Sequence, residues 1–574
     1  MRFALASLLL ASLSLVACSD DSIESDESDV TSAVPETTVE AQALRALLND
    51  PATTQEVLTK GKVTSSAAKA LLAHRNGVDG AIRTSDDDLF DTVAEVDAVK
   101  NVGPATLQRL VTIATDRGYL AAEKAKKRSI VFSPQAAAQS HNAEIAKVIG
   151  QAKTSIDIAM YSFSDAGISA ALDAAVKRGV KVRFVFETAG EDRKLTGGAI
   201  ATSKSGKLEA LGVDVRWVNK IMHHKFMIVD GARDDAEAAK TATIVSGSGN
   251  WSSGAATIYD ENTMFMTGYP ELSLRLQKEF NLMWEHSTDF VSNSSLVFEP
   301  STLALTEESM PLTPGMQIFF TSDNFTVKNA TFSVTSKNTV SDELVRAIDA
   351  AEDRIHIASG HLRSRPVAEA IIRKVTEEPD VDVMIYLDGQ EYVSDATNAQ
   401  QIEDRDECLA AATTDAQKRA CVDKSFLYGR EVEKAGASVR YKYYAYRWDT
   451  SYAAQMHNKV LIVDDALYTG SYNLSDNAEH NTFENMFMFR GPEFRDLVEQ
   501  YETQFQKLWV TGDGLLDGLR SDIETKSTIP IVFPAMSLSW AEVRDLKSLI
   551  AAECPDVNSS EFRTNAPAHK TCTK

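Results

Sequence analysis

The chain has 574 residues, 44% hydrophobic and 25% charged, the composition of a soluble globular protein with apolar residues enough for several cores. Its 82 acidic against 59 basic residues leave a formal net charge of -23, and a field of that sign repels nucleic acid and anionic lipid at long range. Overall charge therefore argues against binding anions over a broad face. A compact cluster of donors remains open.

In chain order, the first feature is Arg2 followed by an apolar run to Ala17, too short to span a bilayer stably. Leu15-Val16-Ala17-Cys18 resembles the lipobox of bacterial lipoproteins. The resemblance implies that residues 1–17 are a signal peptide, that Cys18 carries lipid, and that the protein is exported and membrane-anchored on the periplasmic face or cell surface. Residues 18–40 contain Asp20, Asp21, Glu24, Asp26, Glu27, Asp29, Glu36 and Glu40 and no Lys or Arg. They read as a disordered acidic tether. Residues 41–121 read as a small all-α module without strand runs, near charge balance. Within it, Phe90 to Leu107 resembles a helix-hairpin-helix element, with Asn101 standing where that family's hairpin has its first Gly. Asn tolerates a positive φ better than most residues, so the turn is expected to survive. The acidic turn Asp86-Asp87-Asp88 does not have EF-hand spacing and reads as solvated.

Downstream, the sequence repeats itself. Met222-His223-His224-Lys225-Phe226-Met227-Ile228-Val229-Asp230 returns as Met456-His457-Asn458-Lys459-Val460-Leu461-Ile462-Val463-Asp464. Gly247-Ser248-Gly249-Asn250 returns as Gly470-Ser471-Tyr472-Asn473, and Glu261-Asn262 as Glu484-Asn485. The copies differ in length between Asp and Gly, where residues 231–241 read as an extra surface loop. Around each copy, strand, helix and strand recur: Ser155–Tyr161, Gly167–Lys177 and Val180–Phe186, then Arg354–Ala358, Val367–Lys374 and Val381–Tyr386. That order is a crossover unit of an α/β sheet. The halves are placed at 129–298 and 315–515, with 516–574 as a C-terminal extension. Four cysteines remain besides Cys18, an even number that suits an oxidising compartment. Three pairings are open, and the two local ones, Cys408–Cys421 and Cys554–Cys572, are favoured over a zinc site because no His stands near either pair at ligand spacing.

His-x-Lys-x4-Asp followed by Gly-Ser-x-Asn, found twice, closely resembles the phospholipase D superfamily over residues 129–515. The frame selects His223, not His224. The resemblance implies two α/β sandwich halves packed about a pseudo-twofold axis around one pocket, with one His from each. Chemically the set suits phosphodiester cleavage. His and Lys two apart share a strand face. Lys225, Lys459, Asn250 and Asn473, with Ser248 and Ser471, are the candidate phosphate ligands, placed where charge develops on the non-bridging oxygens. One imidazole attacks phosphorus and the other protonates the departing alcohol, with His223 read as nucleophile and His457 as acid. Glu261 and Glu484 are candidates to hold the imidazoles, while Asp230 and Asp464 are implied to be more structural than chemical. No metal and no cofactor is called for.

The function expected from this set is a phospholipase D-type phospholipid hydrolase acting at a membrane. A nuclease, with nucleic acid the less favoured partner, a cardiolipin synthase-like transferase, and a non-catalytic surface lipoprotein are the alternatives. No oligomeric state is implied.

Overall fold

The computed structural model describes residues 33–291, 296–421, 426–444, 453–559 and 571–574. Residues 1–32, with the expected signal peptide and Cys18, lie outside them. The N-terminal module is helical, with α1 Val39–Asn49, α2 Gln55–Lys60, α3 Ser65–Arg75, α4 Val93–Ala98, α5 Pro104–Asp116 and α6 Tyr119–Ala125. Thr38, Thr54, Thr64 and Thr92 each cap a helix, the hydroxyl accepting an orphan N–H of the first turn. Leu44, Leu47, Leu71, Phe90, Leu107 and Leu110 fill its core. At the α4–α5 hairpin Asn101 has φ 70°, the conformation expected there. The Asp86 carboxylate accepts the N–H groups of Val78 and Asp79 at 2.6 and 3.0 Å.

The tether expectation needs correction at its C-terminal end. Val34 is buried in the helical core, Glu36 pairs with Arg45 at 2.9 Å, and α1 already begins at Val39. One apolar anchor, one ion pair and the Thr38 cap are enough to order this end of the acidic stretch.

The two halves share one strand plan. Half 1 has β1 Lys127–Ser133, β2 Ser155–Met160, β3 Lys181–Phe186, β4 Val213–Trp217, β5 Lys225–Val229, β6 Thr243–Gly247, β7 Glu261–Thr267 and β8 Thr288–Asp289. Half 2 has β9 Met316–Phe320, β10 Arg354–Ser359, β11 Asp382–Asp388, β12 Ser438–Tyr443, β13 Lys459–Val463, β14 Ala466–Gly470, β15 Asn485–Phe489 and β16 Met536–Ser539. The first sheet runs β1-β7-β6-β5-β2-β3-β4-β8 and the second β9-β15-β14-β13-β10-β11-β12-β16. Every strand thus has its counterpart eight numbers on, in the same place. In each sheet the three consecutive crossover strands are parallel and the rest antiparallel. Residues 516–574, set apart in the sequence as an extension, supply β16, the last strand of the second sheet, and the helix Trp540–Glu553 packed on its core.

A central core joins the halves. Phe226, Ile228, Val460, Ile462 and Phe487 meet there with the helices Pro270–Glu285 and Arg495–Trp509. Because β5 and β13 are buried on both faces, their sequences Lys-Phe-Met-Ile-Val and Lys-Val-Leu-Ile-Val are almost unbroken apolar runs. The segment 231–241 is not a plain surface loop. Ala232 and Ala239 are fully buried, and Arg233 reaches back to Asp157 on β2, whose carboxylate Arg183 also holds at 2.7 Å. The extra residues deliver a second cation to a buried acid, which would otherwise be costly. The module is tied to the halves by Arg83, which donates to the carbonyl of Glu307 at 3.0 Å, and by Lys126, paired with Glu493 at 3.1 Å. Among the described residues no helix is long and apolar enough to cross a membrane.

Candidate active site

The strand ends place the chemistry. His223 and His457 stand just before β5 and β13, at the edge where the two halves face each other. Ile221–Met222 pairs in parallel with Thr482–Phe483 of half 2, and Met456 bridges Asp260 of half 1. As a result the His223 N–H donates to the carbonyl of Phe483 at 3.2 Å, and the His457 N–H to that of Asp260 at 3.0 Å. The next residue in each partner segment is the repeated glutamate. Glu484 Oε1 lies 2.7 Å from His223 Nδ1, and Glu261 Oε1 lies 2.7 Å from His457 Nδ1. Each half therefore orients the other half's imidazole. A carboxylate on Nδ1 leaves Nε2 of each ring clear of the glutamate, that of His223 lying 3.3 Å from Lys225 Nζ.

The lysines lie beneath the histidines. Lys225 Nζ donates to the carbonyl of His223 at 2.8 Å and sits against its ring, and Lys459 Nζ donates to the carbonyl of His457 at 2.6 Å. An ammonium group in so dry a place is disfavoured, and Lys459 lowers Lys225 further. Burial brings Lys225 down to about 7 and Lys459 to about 8, each also opposed by the glutamates. Burial, the two lysines and His457 push His223 well below its ordinary value. Burial lowers His457 to about 4, against the pull of Glu261. For Glu261, burial works upward but is outweighed by His457 and Lys459, so it stays an anion; burial raises Glu484 to about 7. At neutral pH the resting site thus holds two neutral imidazoles, with the partial charge of the lysines offset by the glutamates.

Asn250 and Asn473 follow β6 and β14. Among the described residues neither side-chain amide makes a hydrogen bond, although both Oδ1 atoms are buried. Their amide N–H groups are unspent, as a donor to the non-bridging oxygens of a phosphodiester must be.

Comparison with known proteins agrees with this geometry. Residues 145–284 and 344–509, together more than half the chain, match the family described as "Cardiolipin synthase, PLD-like domain". The chain belongs to this phospholipase D-like family. It is 36% identical over 139 residues to the mitochondrial cardiolipin hydrolase of Danio rerio, covering 24% of this chain and 53% of that one. It is 30% identical over 157 residues to the Drosophila melanogaster mitochondrial cardiolipin hydrolase, 25% of this chain and 58% of that one. The chain thus spans a little over half the length of these curated relatives. Among solved structures, a phospholipase D family member from Salmonella typhimurium is 28% identical, covering 29% of this chain and 97% of that one with a TM-score of 0.23. Phosphatidylserine synthase of Haemophilus influenzae is 12% identical, covering 74% and 93% with a TM-score of 0.43.

Within this phospholipase D-like frame the sequence-derived set divides. His223, Lys225 and Glu261 come together with His457, Lys459 and Glu484, and Asn250 and Asn473 hold equivalent places after β6 and β14. Asp230 and Asp464 do not join them. Each lies at the far end of its strand with φ near +50°, its carboxylate accepting consecutive backbone N–H groups: Lys153, Thr154 and Ser155, or Glu352, Asp353 and Arg354. They close turns. Ser248 and Ser471 also leave the expected set of phosphate ligands. Both are fully buried, and their hydroxyls accept the N–H of Asn262 at 2.9 Å and of Asn485 at 3.0 Å. They fix the strands that carry the glutamates.

Several residues escaped the sequence reading. His224 is a core residue, held between Glu279 and Asn485 at 3.0 Å each, while Asn262 donates to Asn458 at 2.9 Å. The asparagine after each glutamate therefore bolts the opposite motif in place, a role the repeated Glu-Asn dipeptide already signalled. Glu187 and Asp388, immediately after or at the end of β3 and β11, accept the N–H of Met222 at 2.6 Å and of Met456 at 2.9 Å. An acid closing two equivalent apolar strands was the available clue. Tyr161 covers His223, ring centroids 4.6 Å apart.

Proposed function

We propose that the protein is a phospholipase D-type phosphodiesterase that hydrolyses phospholipid to phosphatidate and a head-group alcohol through a phosphohistidine. The observation that carries this reading is the crossed pairing, His223 with Glu484 and His457 with Glu261, above two lysines in one pocket. Such a unit has one task that needs both halves at once. His223, held neutral by burial and the surrounding cations, is the nucleophile. Its Nε2 attacks phosphorus while Glu484 holds Nδ1. Lys225, Lys459, Asn250 and Asn473 take up the charge on the non-bridging oxygens. The bound anion raises the proton affinity of His457, which Glu261 also favours, so His457 takes up a proton from solvent as substrate binds and then gives it to the departing oxygen. His457 then removes a proton from water, the water oxygen displaces His223 from phosphorus, and phosphatidate leaves.

Family membership supports phosphodiester chemistry, and the expected lipid anchor at Cys18 supports a membrane substrate. A second reading, a phosphatidyl transferase in which an alcohol replaces water, is favoured by the cardiolipin synthase description of the matching family. The test is a panel assay of the purified chain on phosphatidylglycerol, phosphatidylcholine, cardiolipin and single-stranded DNA with chelator present. Release of head-group alcohol and phosphatidate is expected. New phosphatidyl esters in place of phosphatidate would favour the transferase. Cleavage of DNA with negligible lipid turnover would overturn the lipid assignment.

A further inference from the structure

The catalytic groups obey the pseudo-twofold, but the walls above them do not. The Tyr161 N–H donates to the carbonyl of His224, and the Gly360 N–H to that of Asn458, so Tyr161 and Gly360 occupy equivalent places. On the His223 side Tyr161 lays a ring, 37% exposed, against the imidazole. On the His457 side no side chain fits. A Cβ on Gly360 would meet the carbonyl oxygen of Met456 at 2.9 Å and lie 3.9 Å from the Cα of His457. One wall is closed by an aromatic face and the other is open.

The open wall carries a third imidazole. His361 follows Gly360, where half 1 has Ser162. Glu391 Oε1 lies 3.1 Å from its Nδ1, and Glu391 is itself fully buried and anchored by Arg363 at 2.6 Å. The equivalent of Glu391 in half 1 is Gly190, so the dyad exists once. The His361 side chain is 35% exposed, its field reaches His223, and among the described residues no protein group hydrogen-bonds its Nε2. An imidazole fixed by a buried carboxylate, its other nitrogen without a protein partner and its chain neighbour Gly360 against the backbone of His457, is built to meet a ligand.

In-line displacement places the departing alcohol opposite the attacking His223, on the side of His457. We propose that His361 is a substrate-binding residue whose Nε2 hydrogen-bonds a hydroxyl of the departing alcohol, so that the enzyme favours phosphodiesters with a hydroxyl-bearing head group. A hydroxyl both donates and accepts, so it suits the imidazole whether neutral or protonated. A saturated alkyl head group suits neither state. The inference rests on the phospholipid reading above.

The test compares phosphatidylglycerol with phosphatidylpropanol in mixed micelles. Both lipids carry one negative charge and a three-carbon head group, and they differ in two hydroxyls. The full chain should prefer phosphatidylglycerol in kcat/KM by about tenfold, the effect of one well-made hydrogen bond. His361→Ala should bring the two substrates within about twofold, chiefly through KM for phosphatidylglycerol, and His361→Gln, which keeps a polar head, should restore part of the preference. Glu391→Gln should act in the same direction with a smaller effect, because it loosens the ring without removing it. If the wild type treats the two lipids alike, or His361→Ala slows both by the same factor, the hydroxyl contact is wrong while the phospholipid reading stands. If the wild type releases neither alcohol, the phospholipid reading is wrong and the inference falls with it.

Discussion

The two halves are built on one strand order, yet the residues around their shared catalytic set differ. What they share is the machinery that must act on phosphorus: histidine, lysine, asparagine and the crossed glutamate. What they do not share is the lining. Half 1 offers Tyr161, Ser162 and Val218, with Phe483 on the partner strand from half 2, while at the corresponding places half 2 offers Gly360, His361 and Lys442, the last paired at 2.6 Å with Asp260 on the partner strand from half 1. A phosphodiester has chemically different groups on its two ester oxygens. A symmetric catalytic set with asymmetric walls is the arrangement that handles such a molecule in one orientation.

The symmetric part is broken most severely by removing either imidazole. His223→Ala and His457→Ala are each expected to lower turnover by about 10³-fold or more, since each takes away a group the other half cannot supply. Thermal unfolding should move by only a few degrees. A variant of either histidine that kept a substantial fraction of activity would mean that the halves work as separate sites.

Next come the crossed glutamates and the pH profile. Glu261 is held as an anion, whereas burial raises Glu484 to about 7. At neutral pH Glu261→Gln removes a full charge and Glu484→Gln less than one. The first should therefore cost more, on the order of 10²-fold in kcat against about tenfold. The lysines set the alkaline limb. Lys225 at about 7 and Lys459 at about 8 lose their protons as pH rises, so kcat/KM should fall above neutrality. A bound phosphate anion raises both lysines, so the same limb in kcat should lie at higher pH. Coincident limbs in kcat and kcat/KM would show that the lysines do not hold the phosphate.

How much of this was legible in the sequence follows the same division. Residues that act as a set must recur with their spacing, and so the motif histidines, lysines, asparagines and glutamates, together with the two crossover units, stood out. Residues fixed by contact across the axis could not be read, because no interval in one copy reports which strand of the other lies beside it. Thus Glu261 and Glu484 were recognised, but not that each serves the opposite histidine. Ser248 and Ser471 repeat as faithfully as Asn250 and Asn473, yet they face inward to the strands of Asn262 and Asn485. Repetition marks a shared requirement and does not say whether it concerns the substrate or the backbone. The asymmetric residues, Tyr161, His361 and Lys442, were invisible because a search for repeats discards what differs.

Lys442 and Asp260 test the difference energetically. Both side chains are 4% exposed, and their counterparts are Val218 and Phe483, members of one apolar core. Lys442→Met leaves a buried carboxylate alone and should destabilise by about 3 kcal/mol or more. The double variant Lys442→Val with Asp260→Phe installs the half 1 arrangement and should recover most of that loss. Denaturant unfolding of the two variants decides it. A single variant as stable as the wild type would mean that the pair contributes nothing.

The disulfides give the smallest effect, and an unequal one. Cys408–Cys421 and Cys554–Cys572 close segments of 13 and 18 residues, for which chain entropy predicts a similar stabilisation of about 3 kcal/mol each. Their surroundings differ. Cys554 is fully buried in the core of half 2, at the end of the helix Trp540–Glu553 that covers β12 and β16, and its partner sits in the short strand Thr571–Thr573 paired with Thr528–Pro530. Cys408 lies in the helix Asp395–Ala411, an insertion without counterpart in half 1, whose only fully buried residue among those described is Asn398. Such a segment opens by itself before the domain does, so much of the entropy it gains is not felt in global unfolding. Replacing Cys554 and Cys572 with Ser should therefore lower the unfolding free energy by nearly the full amount. The same change at Cys408 and Cys421 should cost about 1 kcal/mol or less and appear mainly as faster amide exchange within residues 395–411. Equal losses in the two double variants would show that the insertion folds as one piece with the core it stands on.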